Sequence, residues 1–155
     1  MNEISILQLV TFKLDNEEFG VNILKVQEIN KMIDITQIPN APSFVEGVIN
    51  LRGKIIPIVD LRKRLGFAGK DFDKSTRIIV VELDRMILGF IVDSVSEVLR
   101  ISESTVEPPP ALVAGIEAEY IEGVGKLENR LLILLELKKI FSATDRKELE
   151  KVSSN

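Results

Sequence analysis

Gly47-Val-Ile-Asn-Leu-Arg-Gly53-Lys54 places two glycines and a lysine roughly where a phosphate-binding loop has them. Such a loop cradles phosphate oxygens with backbone N–H groups at a helix N-terminus, and needs four residues between the glycines and Ser or Thr after the lysine. Here five residues intervene, Ile55 follows the lysine, and the segment joins strand to strand. Phosphate cradling is excluded. Gly66-Phe-Ala-Gly69-Lys70 reads as a plain loop. The other chemistry on offer is that of carboxylates, with 24 Asp plus Glu against 20 Lys plus Arg and a net charge of −4. A glycosidase-type pair must flank a cleft, whereas scattered acids on a net-acidic chain are ordinary solvated surface. The 155 residues contain no His, Cys or Trp. That removes imidazole proton shuttles, thiolate nucleophiles and the usual zinc sites. No enzyme is expected, and no cofactor or metal. The charge also lacks the basic stripe that nucleic-acid binding requires.

What positions these residues is an internal repeat. Phe44–Lys63 reads closely like Tyr120–Lys139, 76 residues later and without a gap. Glu46, Gly47, Val48, Leu51, Leu61 and Lys63 recur as Glu122, Gly123, Val124, Leu127, Leu137 and Lys139. An earlier block matches at an offset of 69: Leu14, Asp15, Gly20, Val26 and Glu28 recur as Leu83, Asp84, Gly89, Val95 and Glu97. The second copy therefore carries seven extra residues, within Arg100–Glu119, where Pro108-Pro109-Pro110 makes a stiff spacer. Two colinear blocks indicate duplication.

Each copy reads as strands. Val10, Phe12 and Leu14 alternate with Thr11 and Lys13, the period of a half-buried strand. Thr76–Leu83 and Met86–Val92 are rich in Ile and Val, as buried strands are. Gly47 and Gly123 interrupt strand patterns and predict bulges or barrel bends. Gly53 is matched by Asn129, so both turns are expected to use positive φ. Each repeat ends in a short helical turn, Asp60–Leu65 with Gly66 as C-cap and Glu136–Phe141. The tail, residues 142–155, reads as a short helix with Thr144 as N-cap and Leu149 and Val152 as its apolar stripe. Many short strands in each unit imply two small curled sheets or barrels packed together. The first unit is expected mainly from about residues 10–67 and the second from about 76–141, with end strands free to cross over. The N-terminus is no secretory signal, and the longest apolar run, Leu131–Leu135, is far too short to span a bilayer. A cytoplasmic location is expected.

Asn50-Leu51-Arg52-Gly53 followed by Ile56-Pro57-Ile58-Val59-Asp60-Leu61-Arg62 resembles the signature of the CheW family of bacterial chemotaxis adaptors. Phe19-Gly20, Ile23 and Lys25-Val26-Gln27-Glu28-Ile29 resemble the family's front motif, and Gly89-Phe90-Ile91-Val92-Asp93 with Val95 its second-half motif. The likeness runs from about Val10 to Phe141. It implies a mainly β fold of two five-stranded SH3-like barrels, and a non-catalytic protein. It further implies coupling of a chemoreceptor's cytoplasmic hairpin tip to the regulatory domain of the histidine kinase CheA, and recruitment to membrane receptor arrays without membrane insertion.

The positions that match the family's receptor groove are Ile23, Val26, Ile29 and Val95, with Glu28 and Arg52 as charged partners. An amphipathic helix would lay its apolar face there. The repeat equivalent of Arg52 is Glu128, so the turn's backbone does not itself demand arginine. Arg52→Lys would forfeit the planar fork and is not conservative. Gly47 is a weaker candidate for close approach of a partner. For the kinase, the proline-flanked stretch containing Ile35, Ile38, Pro39 and Pro42 is the expected surface. The alternative to an adaptor is a small-barrel binding module of another signalling or nucleic-acid system.

Overall fold

The computed structural model describes residues 5–153, so Ser154 and Asn155 of the expected tail lie outside the described residues. The first copy supplies strands β1 (Ile6–Leu14), β2 (Glu17–Asn22), β3 (Val26–Lys31), β4 (Val45–Leu51) and β5 (Lys54–Asp60), then helix α1 (Leu61–Leu65). The second supplies β6 (Arg77–Leu83), β7 (Met86–Val92), β8 (Ser94–Ser102) and the two-residue β9 (Val106–Glu107). A small hairpin follows, β10 (Leu112–Val113) with β11 (Ile116–Glu117), and then β12 (Ile121–Leu127), β13 (Arg130–Leu135) and α2 (Leu137–Ile140). Helix α3 (Ala143–Ser153) closes the chain.

One sheet has the order β8-β1-β2-β13-β12-β9 and the other β3-β6-β7-β5-β4. Under the two repeat offsets the first five strands of the one order match the five of the other, and the place of β9 is taken by the single bridge Thr36↔Val48. Even the irregularities coincide: the ladder slips at Val45/Gly47 and again at Ile121/Gly123, the bulges expected from the two glycines. It slips also at Val26/Glu28 in β3 and opposite Thr11/Phe12 in β8. The parallel pairs Ile58↔Gly89 and Leu134↔Gly20 are equivalent too.

The sheets nonetheless do not follow the repeats. The hairpin β1–β2 joins β8, β12 and β13 of the second copy, and β6–β7 joins β3, β4 and β5 of the first. One sheet is thus drawn from residues 26–92 and the other from residues 6–22 and 94–135, so the crossing of end strands allowed beside the expected 10–67 and 76–141 takes in a whole hairpin from each copy. Each copy lends its first hairpin to the other, so neither sheet is complete without both.

Three apolar clusters result. Ile49, Ile56, Ile58, Ile78, Val80 and Ile91 fill the five-stranded barrel. Leu9, Ile101, Leu132 and Leu134 fill the other. A larger shared core, with Phe12, Phe19, Ile79, Val81, Phe90 and Ile133 among its members, joins the two sheets. Strand β6 shows why its sequence is continuously apolar: Ile78 and Val80 enter the barrel interior while Ile79 and Val81 enter the shared core. Such two-faced burial erases alternation. Thr11 also departs from the expected half-buried pattern. It is fully buried, its hydroxyl donating to the Glu97 carbonyl at 3.1 Å and accepting from the Glu97 N–H at 3.2 Å.

The helix ends agree with the sequence at α1 and differ at α3. Asp60 and Glu136 cap α1 and α2, and Gly66 sits at φ 88 as the C-cap. The cap of α3 is Ser142 rather than Thr144: its hydroxyl accepts from the Asp145 N–H at 3.0 Å, and its own N–H donates to the Asp145 carboxylate at 2.9 Å. This reciprocal capping box outcompetes a lone threonine. Arg52 and Gly53 take positive φ, 51° and 87°, but Asn129 does not, so the two equivalent turns differ in type.

Asp60 is buried, and burial pushes its carboxyl pKa up against the pull of the backbone N–H groups of Lys63 and Arg62. Asp60→Asn keeps the capping oxygen and removes the buried charge. It is expected to leave the unfolding free energy from urea titration nearly unchanged, while Asp60→Ala loses about 1 kcal/mol with the cap. Because the folded state binds this proton more tightly, the wild type gains stability relative to Asp60→Asn as pH falls through the raised pKa. Paired urea titrations across that range read the difference.

Candidate partner-binding surface

The motif Asn50–Gly53 is a two-residue hairpin turn, closed by the pair Leu51↔Lys54. The Asn50 side chain accepts from the Gly53 N–H at 2.9 Å, and Arg52 occupies the left-handed region that arginine rarely visits. From the turn its side chain reaches β3, where both arms of its guanidinium donate to the Glu28 carboxylate. The Asn30 side chain donates to the same carboxylate at 2.9 Å. The Arg52 bond first, and the Asn30 bond after it, hold the Glu28 carboxyl below its ordinary pKa. Strands β3 and β4 are the two edges of their sheet, so this pair links them. The Arg52 side chain is 72% exposed, and an ion pair so open to water adds little stability. It leaves a guanidinium oriented and accessible.

The apolar candidates are organised by the bulge. Along a regular strand Val26 and Ile29, three residues apart, would face opposite ways. The slip between Val26 and Glu28 pairs Val26 with Val81 and Ile29 with Ile79. Both partners belong to the shared core, so Val26 and Ile29 share one face, while Glu28 and Asn30 turn to the other. The equivalent slip in β8 pairs Val95 with Phe12 and Val98 with Val10, again core members. Val98 is thus the repeat mate of Ile29, and both are substantially exposed. Sequence reasoning named Val95 but missed Val98, although the 69-residue offset from Ile29 points to it. Ile23 lies in the 3-10 turn Ile23–Lys25, where the chain passes between sheets, and packs on the shared core beside an almost fully exposed Leu24. The turn rests against both β1 and β6. Ile23, Val26 and Val95 are each half-buried against that one cluster.

Gly47 is buried at φ 149, and the close approach it permits is to the chain's own Thr36, whose carbonyl would lie 2.2 Å from an added Cβ. Ile35 and Ile38 are half-buried, Ile35 against the five-stranded barrel's interior, and Pro42 is half-buried while Pro39 is exposed. The exposed apolar residues of this region are Ile33 and Phe72 instead, which with Met32 and Ile35 line a groove of about 390 Å³. Phe72 lies in a loop remote in sequence, which is why the proline-flanked stretch alone did not reveal it.

No helix among the described residues is long and apolar enough to cross a membrane. Residues 8–145 match the family model of the CheW-like domain. The chain is 38% identical over 148 residues to chemotaxis protein CheW of Klebsiella aerogenes, covering 96% of this chain and 89% of the relative. It is likewise 38% identical over 151 residues to CheW of Treponema pallidum, covering 95% and 87%. Among solved structures it is similar to the scaffolding protein TtCheW of Thermoanaerobacter tengcongensis, with a TM-score of 0.83, 40% identity and 93% of each chain covered.

Proposed function

The chain belongs to the CheW-like domain family and is a chemotaxis adaptor, and from that premise we propose that it couples the cytoplasmic hairpin tip of a chemoreceptor to the regulatory domain of the kinase CheA, without chemistry of its own. The carrying observation is the pair of bulges, which turns Val26 with Ile29, and Val95 with Val98, onto faces bordering one core. Aliphatic side chains spaced along two edge strands suit the apolar stripe of an amphipathic helix. The Glu28–Arg52 pair at the barrel end supplies the charge that fixes register, since Arg52 can exchange Glu28 for a carboxylate or carbonyl of the hairpin. The kinase domain takes the other surface, around the Met32, Ile33 and Phe72 groove and the adjoining stretch with Ile35, Ile38, Pro39 and Pro42. Through these contacts the chain is held at membrane receptor arrays.

Titration with a receptor-tip hairpin and, separately, with a CheA regulatory domain tests the assignment. Micromolar binding to each is expected, about 8 kcal/mol, as suits reversible assembly. Absence of binding to either partner at high concentration would sink the adaptor reading.

A further inference from the structure

Arg62 is a buried arginine in α1, remote from the groove residues in sequence. Its Nη2 donates to the Asp15 carboxylate at 2.7 Å, its Nη1 to the Asp93 carboxylate at 2.6 Å and its Nε to the Ala68 carbonyl at 2.8 Å. The Asp15 N–H also donates to Asp93, at 2.7 Å. These partners belong to different sheets. Helix α1 follows β5 of the five-stranded sheet, whereas Asp15 forms the turn of the β1–β2 hairpin in the six-stranded one. Asp93 is the single residue between β7 and β8, where the chain crosses from one sheet to the other, two residues before Val95. One planar guanidinium therefore fixes three acceptors around the crossover.

The repeat has a looser counterpart. Lys138, equivalent to Arg62, reaches Asp84, equivalent to Asp15, at 3.2 Å, and Arg146 donates to the same carboxylate at 3.0 Å. Each exchanged hairpin is thus held at its turn by a cation from the opposite sheet's helix. The Lys138 contact is about half-exposed, whereas the Arg62 guanidinium and Asp93 are almost wholly buried. Burying an ion pair is a poor way to gain stability when an apolar pair of similar volume would serve. A rigid fork bonded to three groups does something an apolar contact does not: it sets their mutual angle.

We infer that Arg62 is a positioning residue for the receptor-facing groove, holding the two barrels at the angle that places Val95 and Val98 relative to Val26 and Ile29. This rests on reading that groove as the hairpin site. The role differs from fold stabilisation in predicting a selective loss. Hairpin affinity depends on the relation between barrels, while kinase binding at the Met32, Ile33 and Phe72 groove involves the five-stranded barrel and its adjoining loop.

The chain has no cysteine, so Lys31→Cys in β3 and Arg100→Cys in β8, both exposed edge-strand positions, give one defined spin-label pair reporting the spacing of the edges. In this background Arg62→Lys keeps the charge and loses the fork, and Asp93→Asn keeps the shape and loses the charge at the crossover. Both variants are expected to broaden or displace the measured distance and to weaken hairpin binding about tenfold, with binding of the kinase regulatory domain held within about twofold. Asp93→Asn leaves Arg62 bonded to Asp15 and Ala68, and so keeps the test open if Arg62→Lys does not fold. A sharp, unchanged distance in the folded variants, or equal weakening toward both partners, would overturn the positioning role. A wild-type chain that binds no hairpin would instead overturn the groove reading, which the distance measurement does not depend on.

Discussion

Gly47→Ala is expected to lower the unfolding free energy by about 3 kcal/mol, through overpacking and lost hydrogen bonds together. The residue sits at φ 149, and a Cβ there would meet the Thr36 carbonyl oxygen at 2.2 Å, its carbon at 2.8 Å and the Ile35 Cγ2 at 2.8 Å. Two of these atoms are backbone, so no rotamer change relieves the clash. The backbone at Thr36 must move, and with it go the bonds from the Thr36 N–H to the Val48 carbonyl, 2.8 Å, and from the Val48 N–H to the Thr36 carbonyl, 2.9 Å. For a domain of this size such a loss displaces the thermal midpoint by roughly 10 °C. Gly53→Ala is the control: its φ of 87 is equally unfriendly to alanine, but nothing lies within 4 Å of the added Cβ. It isolates the backbone penalty, about 1 kcal/mol. Urea denaturation of both variants, with amide exchange at Thr36 and Val48, separates the contributions. Equal losses in the two would show that the close approach to Thr36 carries no weight. Because residues 35 and 36 begin the stretch assigned to the kinase, Gly47→Ala is also expected to weaken that contact more than hairpin binding.

The repeat was legible because duplicated backbones repeat their demands. Gly47 and Gly123 announced two bulges, and Asp60 with Gly66 announced the ends of α1. The repeat leaves crossing of end strands open, but which strands exchange was not legible, for a physical reason. Val81 of β6 pairs with Val26, as Phe12 of β1 pairs with Val95. Pairing each hairpin within its own copy would set equally apolar residues opposite one another. No local property of either strand distinguishes the two arrangements; the difference lies in the connections, such as the single residue Asp93 between β7 and β8. Val98 escaped for a related reason. Three residues from Val95, it falls on the wrong face of any regular strand, and only the bulge beside Thr11 restores it. Arg62 read as part of a signature because its partners, Asp15 and Asp93, are 47 and 31 residues away. Asn129 shows the converse. A residue able to adopt positive φ is not compelled to, and β12–β13 turns without it.

Val26→Asp is expected to weaken hairpin binding at least a hundredfold, about 2.8 kcal/mol, while the chain remains folded. Val26 is half-buried against the shared core. In the free protein a carboxylate there keeps some contact with water, whereas beneath a docked apolar helix it would lose its hydration without gaining a partner. The penalty therefore falls mainly on the complex. Val98→Asp sharpens the test, because Val98 is 54% exposed and the fold loses less by the change. If the hairpin lies across both edge strands, Val26→Asp and Val98→Asp weaken it alike. If it engages one barrel alone, only one of them does, and the pseudo-symmetry of the strands has no counterpart in binding. Either variant, folded by circular dichroism and binding as tightly as wild type, removes its strand from the interface. Both doing so would leave the bulges without a role in recognition. The duplicated backbone places aliphatic residues on both strands and pairs the equivalent carboxylates with an arginine of the facing hairpin, but from different positions. Arg52 reaches Glu28 from the turn itself, whereas Glu128 stands at the equivalent turn position and Glu97 is met by Arg130 of β13 instead. If that difference orients an asymmetric hairpin in the two-fold-like groove, Arg52→Lys combined with Val98→Asp should show coupled rather than additive losses.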